Sequence, residues 1–260
     1  MFVISVDQIR SLEKKANSLG YSYGKMMEAA GTGIAEFIDA RFYEEFEEEE
    51  ERSIVGLVGS GNNGGDTLIA LRLLQQKEWN TCAYLIKTRP ENDPLIGAYL
   101  EAGGTIVLAE EDQRYATLKK LCGKTQLLLD GILGTGIHLP LDDSIRGVLK
   151  TVGKFEKGIV ILAVDCPSGI DCTSSVVAPE TIHADYTLCM AAVKTGLLSF
   201  PAYEYCGNLV NIPIGLEKAI PDWTSGLHEL ITPADMAAFL PKRPLDAHKG
   251  TFGTAMIIAG

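Results

Sequence analysis

The chain has 260 residues, 46% of them hydrophobic, and a formal net charge of −11; this excludes a disordered chain and allows one large α/β domain or two small ones. The acidity excludes nucleic acid and an anionic membrane as main partners, because phosphate surfaces are bound by clustered Lys and Arg and the sequence carries no basic stripe. The first residues carry charges where a signal peptide needs an apolar core, and no run approaches the ~18 apolar residues of a membrane span.

Six cysteines (Cys82, Cys122, Cys166, Cys172, Cys189 and Cys206) show no CxxC spacing. A reducing, cytoplasmic setting is therefore expected, rather than a disulfide framework or a zinc site. In chain order, Ser5 or Asp7 caps a helix over residues 8–19, with Ile9, Leu12 and Ala16 at helical spacing. A second helix over 25–42 places Met26, Met27, Ala30, Ile34 and Phe37 on one face, and its small Ala30, Gly31 and Gly33 permit close approach. It reads as a packing element. The apolar character of these two helices also suggests a homodimer or higher homo-oligomer. The acidic run over 44–51 reads as a solvated helix extension or a linker.

From residue 54 the pattern alternates: strand 54–58, helix 66–76, strand 81–86, helix 94–102, strand 105–108, helix 115–121, strand 126–129, helix 144–152 and strand 159–164. Further strands are expected at 185–190 and 208–212. Repeated βα units with continuous apolar strands predict a Rossmann-like three-layer αβα sandwich, a mostly parallel sheet with helices on both faces and the N-terminal helices added. Ligands in such folds gather at the carboxyl ends of the strands. Residues 1–215 form the main domain on this reading, 216–244 a linker with a short helix near 233–240, and 245–260 the first strand of a second domain.

Three predicted strand ends deliver polar residues followed by glycines: Gly61-Asn62-Asn63-Gly64-Gly65-Asp66, Asp130-Gly131-Ile132-Leu133-Gly134-Thr135-Gly136, and Asp165-Cys166-Pro167-Ser168-Gly169-Ile170-Asp171. One such Asp is ordinarily a turn or helix cap; three at one sheet edge point to a site. The glycines suggest a loop with unusual backbone freedom ahead of a helix that starts near Asp66. The first segment also matches G-x-G-x-x-G through Gly59, Gly61 and Gly64, which keeps an NADP-linked oxidoreductase as an alternative. Against it, the second strand ends in Lys87-Thr88-Arg89 where that fingerprint needs an acid for the ribose. A carboxylate at Asp66 would also repel a pyrophosphate. The Asn63 amide, the Asp130 carboxylate and the Ser168 hydroxyl are hard oxygen donors carrying one charge, a set suited to a monovalent cation such as K⁺. His138 reads as an incidental loop histidine, Cys166 as a small buried residue, and Lys194 as a surface lysine by default, although it could reach the same cleft.

Together MMEAAG at 26–31, GSGNNGGD at 59–66, DGILGTG at 130–136, VDCPSGID at 164–171 and VKTGL at 193–197 resemble the YjeF N-terminal family of NAD(P)H-hydrate epimerases. Thr67 and Cys166 depart from the family's usual Gly and Ile. The tail HKGTFGTAMIIAG is similar to the opening of the ADP-dependent NAD(P)H-hydrate dehydratase domain of bifunctional repair proteins, so ADP and dehydration belong to a longer parent chain. The resemblance implies epimerisation of R- and S-NADHX and NADPHX in nicotinamide cofactor repair, with a small nucleotide as substrate. It implies that Asn62, Asn63, Gly64, Gly65 and Asp66, together with Gly134, Thr135, Gly136, Ile137, His138, Leu139 and Pro140, bind the hydrate. It also implies that Asp165 contacts the hydrate and that Asn63, Asp130 and Ser168 hold K⁺. In the mechanism expected from this, Asp165 is either the general acid/base or a residue that orients the ligand. A nucleotide- or protein-binding module without catalysis is the other alternative.

Overall fold

The computed structural model describes residues 1–45, 52–90, 92–240, 244–248 and 250–258. Strand β1 (Phe2–Ile4) leads into α1 (Val6–Ser18) and α2 (Tyr23–Phe42). Helix α1 starts where Ser5 and Gln8 cap each other's backbone N–H groups, at 3.2 and 2.9 Å. The main sheet and its crossovers come next: β2 (Ser53–Val58), α3 (Asn62–Gln76), β3 (Asn80–Leu85), α4 (Pro94–Glu101), β4 (Thr105–Leu108), α5 (Ala116–Cys122), β5 (Leu127–Gly131), α6 (Asp143–Val152), β6 (Val160–Val164) and β7 (Tyr186–Met190). Then come β8 (Val193–Lys194), β9 (Asn208–Ile212), β10 (His228–Glu229) and α7 (Pro233–Phe239).

Seven parallel strands lie in the order β4-β3-β2-β5-β6-β7-β9. The chain winds outward from β2 in one direction through β3 and β4, then returns to lay β5 on β2's other side. That reversal opens a crevice at the carboxyl ends of β2 and β5. Side chains alternate across the sheet: Ile54 and Val58 join α1, α2, α3 and α4 in one core, while Val55 and Leu57 join α5 and α6 in the other. Both faces are covered, which is why the strands read as continuous apolar runs. The predicted sandwich is the observed fold.

Several local expectations change. Helix α3 begins at Asn62, four residues earlier than expected, so GNNGGD is mostly a helical first turn rather than a loop. None of Gly59, Gly61, Gly64 and Gly65 has a positive φ. Two of these glycines are required by contact instead. A Cβ on Gly64 would lie 1.9 Å from the Gly59 carbonyl oxygen, and one on Gly59 would lie 1.9 Å from that of Ile132. The start of α3 thus presses on β2's end, and β2's end on the segment after β5. A Gly64→Ala substitution meets backbone, which cannot swing aside, so a loss of about 2 kcal/mol or more is expected in urea unfolding.

Residues 216–230, expected as linker, pack back on the body: Leu216 is buried, Ile220, Trp223 and Leu227 lie on the α1–α2 side of the core, and β10 pairs antiparallel with β1. A small second sheet, β10-β1-β8, results. Residues 250–258 form no strand, and Met256, Ile257 and Ile258 are exposed; a strand exists only where a neighbour takes its backbone hydrogen bonds. The apolar faces of α1 and α2 are spent on the chain's own core, which removes the reason for inferring a homo-oligomer from them. Most of the acidic run, residues 46–51, falls outside the described residues. All six cysteines are buried and free. Among the described residues, no helix is long and apolar enough to cross a membrane.

Candidate active site

The three polar strand ends converge at the crevice. Beneath it, the Asp130 carboxylate at the end of β5 is fully buried and accepts from the Ser168 backbone N–H (2.8 Å), the Ser168 hydroxyl (2.6 Å) and the Ile132 N–H (3.3 Å). The Ser168 hydroxyl in turn accepts from the Leu133 N–H at 2.9 Å. Burial raises the Asp130 pKa while these donors oppose the rise. None of the described residues supplies it with a cation. The Asn63 side-chain amide, from the first turn of α3, donates to the Leu133 carbonyl at 3.0 Å and the Val164 carbonyl at 2.6 Å, tying together the segments after β2, β5 and β6. The three residues expected to share a cation therefore meet.

Asp165, just past β6, takes a left-handed backbone conformation with φ of 67°. Asp tolerates that region better than most residues, and such positions often mark functional sites. Its carboxylate accepts from the Met190 N–H at 3.1 Å and forms an ion pair with Lys194 of β8, whose ammonium also donates to the Met190 carbonyl at 2.8 Å. Lys194 is 1% exposed; the surface reading is wrong. Burial alone would lower its pKa, but the Asp165 carboxylate more than offsets that and leaves it raised.

A pocket of about 110 Å³ lies over these groups, lined by Glu13 from α1, Tyr23, Met26, Met27 and Ala30 from α2, Asn62, Asn63 and Asp66 from α3, and Thr135, Asp165, Met190 and Ile214. The second helix is thus a pocket wall as well as a packing element. Asp66 sits one turn inside α3, 7% exposed, and none of the described residues donates a hydrogen bond to its carboxyl. Burial, then the Asp165 and Glu13 charges, raise its pKa well above the usual carboxylate range, against a smaller opposing effect of Lys194. Burial and Asp165 raise Glu13 as well. The pyrophosphate objection drawn from Asp66 weakens, because the residue lies one turn inside the helix and its burial disfavours the charged form.

On the other side of the Gly59 turn is a groove of about 180 Å³, bordered by Gly59, Ser60, Lys87, Leu133, Gly136, His138 and Asp142. Between pocket and groove the N-terminus of α3 has no side-chain cap. The segment expected to bind ligand as a unit is divided: Thr135 faces the pocket, Gly136 and His138 the groove, and Leu139 and Pro140 a separate depression beside Arg146 and Val176. Gly134 packs on the Asn63 side chain and Ile137 on the α5–α6 core. Arg89 is committed to the Gly59 carbonyl at 2.8 Å and Asp93 at 2.7 Å, leaving Lys87, paired with Asp142, as the basic residue on the groove.

The sequence of residues 24–196 matches the family described as YjeF-related protein N-terminus. The chain belongs to this family. The relatives named bifunctional NAD(P)H-hydrate repair enzyme Nnr from Coxiella burnetii and Mycobacterium leprae are 31% and 30% identical to it, over 97% and 91% of this chain but 49% and 46% of theirs. The chain thus spans about half the length of the curated relatives it matches. The same fold is seen in the crystal structure of yeast ynu0, YNL200c, which covers 81% of this chain and 87% of its own with a TM-score of 0.70 at 19% identity.

Glu13 and Arg10 precede the matched segment and are not among the site residues expected from the sequence. Arg10 donates to the Thr135 carbonyl at 2.9 Å, clipping α1 to the pocket rim. A signal for Glu13 existed: it falls among Ile9, Leu12 and Ala16, a charge on the inward face of an amphipathic helix.

Proposed function

We propose that this chain interconverts the R and S epimers of NADHX and NADPHX, the hydrates formed when water adds to the reduced nicotinamide ring. Membership of the family, and the names of relatives that match across nearly the whole chain, support this reading. The observation that carries it is the pocket: an Asp165–Lys194 ion pair and an unpartnered Asp66 carboxyl face a space the size of one ring at the switch point of a dinucleotide-type sheet. The ring enters this pocket, the diphosphate passes over the uncapped start of α3, and the adenosine end lies toward Ser60, Lys87 and His138. Asn62, Asn63, Gly64, Gly65 and Thr135 shape the passage between them.

Epimerisation at the hydroxyl-bearing carbon needs the hydroxyl to leave and water to return from either face. The lone pair of the adjacent ring nitrogen drives departure and leaves a planar cation, which the Asp165 carboxylate stabilises across the pocket. Glycine contacts and the Asn63 bonds hold the pocket floor fixed, so this stabilisation requires little reorganisation.

K⁺ fits the floor: a buried carboxylate with no described countercharge and a hydroxyl meet beside the Leu133 carbonyl, and the Asn63 amide, bonded to that carbonyl through its nitrogen, keeps its oxygen free of any described donor. Asn63, Asp130 and Ser168 would hold the ion, which would supply positive charge that fixes the loops. Dehydration and an ADP site are not proposed for these residues.

The test is incubation with purified R-NADHX and an S-specific dehydratase. Faster consumption of R than the spontaneous rate is expected; no acceleration would favour a binding module instead.

A further inference from the structure

We propose that Asp66 is the proton donor and acceptor of the site, delivering its carboxyl proton to the departing hydroxyl and recovering one from the returning water, while Asp165 serves only as the fixed countercharge. The proposal rests on the epimerase reading above, and three observations separate the two carboxyls. Asp165 accepts at Oδ1 from both the Met190 N–H and the Lys194 ammonium, so its charge is anchored by a fixed cation. Asp66 is 7% exposed, borders the ring pocket, and receives no hydrogen bond from any described residue. A polar group in a folded interior is ordinarily paired, and one left unpaired at a pocket wall is placed for a ligand.

The groups around it favour a neutral acid. Glu13 from α1 and Asp165 from the end of β6 face it with negative charge, and Lys194 from β8 is already paired; Tyr23 from α2 adds no cation. Helix α2 is pressed so tightly on α3 that a Cβ on Gly31 would lie 2.9 Å from the Asp66 carbonyl oxygen, which fixes the helix turn carrying the carboxyl. Burial and these charges raise the Asp66 pKa well above the ordinary range, which favours the protonated form that a hydroxyl leaving group needs.

The step balances. The carbon–oxygen bond breaks with its electron pair on oxygen, which takes the Asp66 proton and departs as water, while the ring nitrogen lone pair forms the carbon–nitrogen double bond. A water then adds to either face, returns the pair to nitrogen, and gives one proton back to the Asp66 carboxylate.

The test uses the full chain and the Asp66→Asn and Asp66→Glu variants. Infrared difference spectra of wild type against Asp66→Asn near neutral pH should show a neutral carboxyl stretch lost in the variant. Asp66→Asn should lower kcat by ~10²–10⁴-fold with KM changed little, and Asp66→Glu, which restores a proton on a longer arm, should recover part of the loss. Because the raised group takes up a proton on folding, wild-type stability falls as pH rises from the ordinary carboxylate range through the folded pKa. Asp66→Asn should therefore melt above wild type near neutrality and lose that advantage in acid. No neutral-carboxyl band assignable to Asp66, or wild-type kcat in Asp66→Asn, overturns the proposal. If wild type itself fails to epimerise, the functional reading falls, while the infrared and melting data still decide whether Asp66 carries the proton.

Discussion

Asp165→Asn is expected to abolish measurable acceleration of epimerisation and to destabilise the fold, and the second effect has to be removed before the first can be interpreted. The variant leaves the Lys194 ammonium, 1% exposed, facing a neutral amide and the Met190 carbonyl with no described countercharge. Breaking one side of a buried pair costs about 3–5 kcal/mol, because the remaining charge stays out of water uncompensated.

Lys194→Met combined with Asp165→Asn removes both charges and should restore most of the stability, since a neutral, well-packed replacement of a buried pair is often tolerated. It should not restore turnover, because the countercharge to the cationic ring is gone. The pH dependence of the single Asp165→Asn variant comes from the same linkage. Without its carboxylate partner, burial pushes the Lys194 pKa below the unfolded value of ~10.4. The native state then binds fewer protons than the unfolded state, and stability rises with pH toward that value. Urea unfolding of the three proteins at several pH values measures this; equal stability of Asp165→Asn and wild type throughout would show that the pair is not holding the loop.

The second large effect is expected at Asp130. An amide at this fully buried position can accept at one end only, and its NH₂ must then meet a donor, either Ser168 or Ile132. Asp130→Asn should cost about 2–4 kcal/mol by that mismatch. It should also erase any preference for K⁺. Wild type is expected to melt higher in KCl than in choline chloride, since a ligand of the native state stabilises by mass action, whereas Asp130→Asn should melt alike in both. Identical melting of wild type in the two salts would sink the K⁺ proposal, while leaving the hydrogen-bond cost of the substitution to be measured separately.

The parallel sheet was legible because burial on both faces writes itself locally, as apolar runs such as Ile54 to Val58 and Leu127 to Leu129 with polar glycine-rich ends. The meeting of Asn63, Asp130 and Ser168 was legible for a related reason: winding that gathers the carboxyl ends of neighbouring strands at one edge also gathers the first residues beyond those ends. Less was legible where one residue's state depends on its packing partners. Asp66 looked like a charged helix opener, because nothing within ten residues announces Glu13 or Asp165 nearby; segments distant in sequence bury it and raise its pKa. Lys194 looked exposed, because lysine usually is and its partner lies 29 residues away. The sequence by itself determined the sandwich, the order of its strands' polar ends and the candidate cation donors. Tertiary structure alone decided where α3 begins, what the glycines touch, and which carboxyl is paired and which is free, because desolvation and ion pairing are set by contacts across the chain that local periodicity does not encode.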